Sequence, residues 1–66
     1  MIAEVEWEIA RAVCTEAELQ ALRLHEVMGY KRMAVELSLS ISTVRGRVDR
    51  AEAKVRREVN SRRSAA

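Results

Sequence analysis

Three arginines, Arg45, Arg47 and Arg50, stand within ten residues of Ser40 and are the side chains of this sequence best equipped for chemistry. A guanidinium is planar, permanently charged and rich in N–H donors. It can pair two of them at once with a phosphate or with the O6/N7 edge of a guanine. Ser42 and Thr43 add short hydroxyls beside them, and Asp49 adds an acceptor. This is equipment for recognition. An enzyme is not expected, because the sequence offers no acid pair in an apolar setting, no nucleophile beside a base and no glycine-rich phosphate loop. One cysteine, Cys14, cannot close an internal disulfide, and with one histidine, His25, it cannot assemble a zinc site. No metal and no cofactor is expected.

The arginines need a rigid element to hold them. Ile41, Val44, Val48, Ala51, Val55 and Val59 recur every three or four residues, the period of one helix face. With that face inward, the advance of about 100° per residue turns Ser42, Gly46, Asp49 and Arg50 outward and leaves Thr43, Arg45 and Arg47 on the flanks. Ser40 is a good N-cap for this helix. Residues 60–66 show no pattern and are expected to form a frayed basic tail after a single domain at 1–59.

The whole chain is 66 residues long, room for one core. A domain of this size buries only about 60% of the surface its unfolded chain exposes, so a small core must serve alone or a partner must help. There is no proline, there are two glycines, and Ala, Glu, Arg, Leu and Val dominate. The fold class is therefore all-α, a small bundle of about four helices. No apolar run nears the ~18 residues of a membrane span, and the acidic start is not a signal peptide. The expectation is a cytoplasmic protein with no membrane partner, and the lone thiol agrees with a reducing compartment. Charge is divided along the chain. Residues 1–30 carry two arginines against six glutamates, a net −4, while residues 31–66 carry ten Lys and Arg against four acids, a net +6. Either one end meets a polyanion or the molecule has two solvated faces of opposite sign.

Three further helices precede the arginine helix. The first, Ile2 to about Val13, shows one stripe of Ile2, Val5, Ile9, Ala12 and Val13 and a second of Ala3, Trp7, Ala10 and Cys14, which predicts two neighbours. Thr15-Glu16-Ala17-Glu18 is a capping box that opens a second helix. That helix is predicted to run to about Met28 with Ala17, Ala21, Leu24 and Met28 inward and Leu22 beside them, closed by Gly29 in the left-handed conformation. A short third helix follows from about Tyr30 to Leu37, with Met33, Ala34 and Leu37 inward, and Ser38-Leu39-Ser40 breaks it.

A helix of about eight residues, a tight turn and an amphipathic helix with arginines off its apolar face is the helix-turn-helix layout, in which the second helix offers its first turns to the major groove. Residues 28–51 also resemble region four of bacterial sigma factors and the related LuxR-type domains. Tyr30, Ala34, Leu37, Ser40, Thr43, Val44, Arg47, Arg50 and Ala51 agree with the family pattern, and Met33, Leu39 and Val48 are apolar replacements. Upstream, Cys14 to Glu18 with Leu22 and Leu24 is similar to the opening of the same domains, so the likeness covers about residues 13–51. Three positions depart from it. Gly29 stands where the family has a Ser or Thr N-cap, Val27 where it has Gly, and Ser38 where it has the turn glycine. No promoter-melting region is present, so the chain is not expected to be a sigma factor by itself.

The residues divide into roles on this reading. Arg45 and Arg50 are the leading candidates for base edges, with Ser42, Gly46 and Asp49 on the same face; Gly46 either admits the helix deeper into the groove or is merely tolerated there, and Asp49 either accepts from cytosine or balances an arginine. Tyr30, Lys31 and Arg32 suit phosphates at the start of the bracing helix, and Thr43 suits one too. Arg47 either contacts a phosphate or, as the resemblance implies, pairs with Glu18. Trp7 either caps the core or joins Val55 and Val59 in a partner interface. His25 is read as a rim residue and Cys14 as a small core residue. The expected function is sequence-specific binding of double-stranded DNA by a transcription regulator of bacterial or phage type, acting as a monomer or a homodimer. The competing expectation is a protein-interaction module that binds RNA polymerase or another regulator through the acidic first helix and Trp7.

Overall fold

The computed structural model describes residues 4–65, with side chains to residue 64. Ile2 and Ala3, assigned to the first helix from the periodicity, and Ala66 of the basic tail lie outside the described residues. Four helices follow in order: α1 (Glu4–Val13), α2 (Glu16–His25), α3 (Tyr30–Leu37) and α4 (Ile41–Ala65). No strand occurs among the described residues. The all-α bundle expected from composition is the fold.

α4 is the spine. Its 25 residues make a rod of about 37 Å at 1.5 Å per residue, which accounts for the 42 Å long axis of a molecule only 18 by 16 Å across. α1, α2 and α3 each pack against it, and α2 also meets α3. Val44, Val48, Ala51 and Val55 are its buried stripe, and Val59 is partly buried against the same core. Met33 of α3, with Val44 and Val48, is completely enclosed. Ala10, Ala21 and Ala51 are also fully buried, one from each of α1, α2 and α4. A methyl group at each of those sites lets neighbouring helix axes approach closely.

The helix that carries the arginines continues through residues 60–65, where a frayed tail was expected. Arg and Ala there are good helix formers, and Arg62 Nε donates to Glu58 Oε1 at 3.2 Å, an i,i+4 pair that braces the last turns.

Two inward faces differ from those read off the sequence. On α1, Ile9 and Ala10 are buried while Val5 is 64% exposed and Ala12 is exposed. The buried edge runs midway between the two apolar stripes, so the helix satisfies both by lying on α4 with Trp7, Val13 and Cys14 partly covered at the margins. On α2, Leu19 and Leu22 go inward with Ala21, whereas Ala17 is exposed and Leu24 and Met28 are only partly covered. The two leucines carry far more apolar area than alanine, about 1.5–3 kcal/mol each when fully buried, and they set the rotation of the helix.

The turns are local chemistry made visible. Glu18 N–H donates to Thr15 Oγ1 at 3.2 Å and Thr15 N–H donates to Glu18 Oε1 at 2.9 Å, the reciprocal capping box. α2 stops at His25, and Val27 and Met28 N–H both bond to Leu24 O, so the chain leaves by a tightened last turn. Gly29 is extended (φ −79, ψ 169) and serves as the N-cap of α3, in place of the left-handed stop predicted for it. The left-handed residue is Ser38 (φ 55, ψ 43) at the end of α3. Ser38 N–H reaches Val35 O and Leu39 N–H reaches Ala34 O, the two bonds of a Schellman motif.

Candidate nucleic-acid interface

The unit α3–turn–α4 brings the sequence-selected residues to one end of the molecule. Ser40 begins α4 as an N-cap: its Oγ accepts from Thr43 N–H at 3.2 Å and shares a 2.7 Å hydrogen bond with Thr43 Oγ1, and its carbonyl takes Val44 N–H at 3.1 Å. With Val44 and Val48 enclosed, Ser42, Thr43, Arg45, Asp49 and Arg50 are exposed, and Gly46 and Arg47 are half-buried. Lys31 and Arg32 are exposed on the first turn of α3, and Tyr30 is half-buried. The Thr43 hydroxyl, read as a phosphate contact, is engaged in the cap with Ser40.

Gly46 has a visible neighbour. A Cβ built there would sit 3.5 Å from Arg50 Nη1, so the Arg50 side chain folds back along the helix over the glycine. The half-burial of Gly46 is this cover.

Arg45 is held from outside its own helix. Its guanidinium carbon lies 5.2 Å from the centroid of the Tyr30 ring, a cation–π distance. Tyr30 in turn stacks on His25, with centroids 4.5 Å apart and planes 10° from parallel. The column therefore joins the last residue of α2, the first of α3 and the second turn of α4. His25 Nδ1 is buried and has no hydrogen-bond partner in the structure. Sequence reasoning placed Tyr30 on a phosphate and His25 on the rim. The signal available was the spacing of two aromatic rings on either side of a short turn.

Arg47 does not take Glu18. That carboxylate, 6% exposed, accepts Lys54 Nζ at 2.8 Å on the same Oε1 that serves the capping box. Lys54 lies two turns beyond Arg47 on the same flank of α4, and that is where α2 begins its contact with the spine. The Lys54 hydrogen bond, followed by the Thr15 N–H, holds the Glu18 carboxyl below its ordinary 4.5 against the opposing effect of burial. In sequence Lys54 belongs to a basic group with Arg56 and Arg57 that reads either as an extension of the phosphate track or as an ordinary solvated face; its ion pair with Glu18 is a third outcome.

Val55, proposed for a partner interface, is 7% exposed and belongs to the core. Trp7 and Val59 are partly buried and pack on that core. Val59 lines a groove with Val5, Ile9, Glu6, Arg62 and Arg63, which places the far end of the α4 stripe against α1. The Cys14 thiol points to Ala51 O at 3.8 Å; burial first, and the Glu18 charge second, raise its pKa, so the thiol stays protonated and packs as a small core group.

No helix among the described residues is long and apolar enough to cross a membrane. No protein-family model matches the chain, and no significant match exists among curated proteins or solved structures.

Proposed function

We propose that this chain binds double-stranded DNA in a sequence-specific manner and serves as a transcription regulator, with α4 lying in the major groove from Ile41 onward. The supporting observation is the outward set Ser42, Arg45, Asp49 and Arg50 on the first three turns of a helix whose opposite side is fully enclosed. A major groove about 12 Å wide admits one α-helix, and a rod fixed along its core side can enter only with these residues leading. Arg45 and Arg50 meet base edges on this reading. Lys31 and Arg32, beside the N-terminus of α3, meet phosphates. The likeness to region four of sigma factors and LuxR-type domains belongs to the same proposal, as does a cytoplasmic location in a bacterium or phage.

The test is a selection of bound fragments from a random duplex pool, followed by titration of the selected site at several salt concentrations. Affinity is expected to fall with a log–log slope of about −0.9 per phosphate neutralised. Lys31→Ala should weaken all sequences alike, while Arg45→Ala and Arg50→Ala each remove about 1–3 kcal/mol of discrimination at one base pair. A palindromic product reports two copies on the site and an asymmetric one reports a single copy. Unaltered binding by the Arg45/Arg50 double variant would overturn the assignment of α4 as the reading helix.

A further inference from the structure

The Arg45–Tyr30–His25 column has a use beyond its own stability. An exposed arginine on a helix samples many rotamers, and a ligand that needs one of them must immobilise it at a cost. Here the guanidinium carbon lies over the Tyr30 ring, 5.2 Å from its centroid, and that ring also stacks on the near-parallel His25 ring at 4.5 Å. A cation–π contact acts on the charge of the guanidinium and asks for none of its N–H donors in a conventional hydrogen bond. Recognition of guanine uses its in-plane N–H edge. The two uses are compatible at the same moment.

His25 supplies an independent pointer. Its Nδ1 is enclosed without a hydrogen-bond partner, which costs free energy that another use of the ring can offset. The service visible in the structure is the flat surface it presents to Tyr30.

We infer that Tyr30 and His25 are positioning residues for Arg45: the stacked rings hold the guanidinium in place before DNA arrives, and so set the sequence preference at the one base pair that Arg45 reads. This deepens the DNA-reading proposal and rests on it. Tyr30 acts on specificity through Arg45, and not by clamping a phosphate with its hydroxyl.

The experiment uses the selected duplex and all its single-base-pair variants. Arg45→Ala first identifies the pair that Arg45 reads. Tyr30→Leu keeps apolar bulk and removes the π face. It is expected to lower the preference at that same pair by about threefold to tenfold, the range set by re-immobilising one long side chain, with other positions and the salt slope unmoved. Tyr30→Phe restores the preference ratio, and adding Tyr30→Leu to Arg45→Ala lowers it no further. A uniform loss at all sequences with a shallower salt slope, or a Phe variant as poor as the Leu variant, overturns the inference in favour of a phosphate contact. Where Tyr30→Leu does not fold, His25→Leu gives the same pattern at smaller amplitude. Without DNA, the Arg45 side-chain δ protons should show an upfield ring-current shift in the NMR spectrum of the wild-type chain, and its absence there disposes of the column. A wild-type chain with no sequence preference brings down the DNA-reading proposal itself. A wild-type chain that discriminates, beside a Tyr30→Leu variant that discriminates equally well, brings down only this inference.

Discussion

Two cations of α4, Arg45 and Lys54, sit nine residues apart on opposite flanks of the same rod and meet opposite fates. Lys54 donates to Glu18 at 2.8 Å, and that carboxylate is almost fully enclosed by the bundle. Arg45 is supported by a ring face at 5.2 Å and remains exposed. One cation is consumed by the fold and the other is braced by a ring and stays exposed. The comparison teaches that charge near a helix is a poor guide to function until its partners are known. The flank that packs on α2 neutralises its lysine, and the flank beside the α2–α3 turn supports its arginine without neutralising it.

The comparison can be broken most forcefully at Glu18. Glu18→Ala removes a capping box and the Lys54 partner together, and is expected to destabilise the fold by about 2–3 kcal/mol. The lower end of the buried-pair range applies because the Lys54 side chain is 41% exposed and keeps part of its hydration. A thermal melt should shift down by about 10–20 °C. The same group sets a pH dependence. A carboxylate held below 4.5 in the folded state stabilises that state above the ordinary carboxylate range and loses its contribution as pH falls through the depressed value. The wild-type melting temperature should therefore fall more steeply than that of Glu18→Gln between pH 5 and pH 3. Parallel curves would remove Glu18 from the account.

Smaller effects sharpen the contrast. Lys54→Ala should cost about 1 kcal/mol of stability and leave sequence preference per folded molecule unchanged, whereas Arg45→Ala should do the reverse; melts and titrations of both variants check this in one set. Gly46→Ala should stabilise α4 by about 0.5–1 kcal/mol, since the added methyl meets only Arg50 Nη1 at an ordinary 3.5 Å. Its DNA affinity should nevertheless drop on the proposed reading, because the methyl adds bulk to the helix face that enters the groove. Ser38→Gly should add about 0.5 kcal/mol by relieving the left-handed backbone at φ 55, seen as a rise of a few degrees in the melt.

Local features were legible in the residues and relational ones were not. The bounds of α3, the Ser40 cap and the Thr15–Glu18 box follow from side chains within three residues of the groups they satisfy. The left-handed residue was misplaced, expected at Gly29 and found at Ser38. The rotation of α1 and α2 was not legible. Apolar residues lie on two sides of α1, and on α2 they spread from Ala17 and Ala21 round to Leu19 and Leu22, so the wheel alone leaves the inward face uncertain by about one residue step; on α2 the bulk of Leu19 and Leu22 decides it. The partner of Glu18 was sought on the correct flank of α4 but two turns too early, since nothing in one sequence records where two helices cross. The aromatic column escaped for the same reason, as three elements contribute one side chain each.

The groove that joins Val5 to Arg62 has a practical consequence. It draws the beginning of α1 and the last turns of α4 to one pole of the molecule, about 30 Å along the rod from Ser40. A dye, tether or fused domain attached near Glu4 or near Ser64 would thus emerge from the same pole, and the arginine-bearing pole would stay clear of it. Labelled forms for single-molecule work can be built at either location without rebuilding the surface under study.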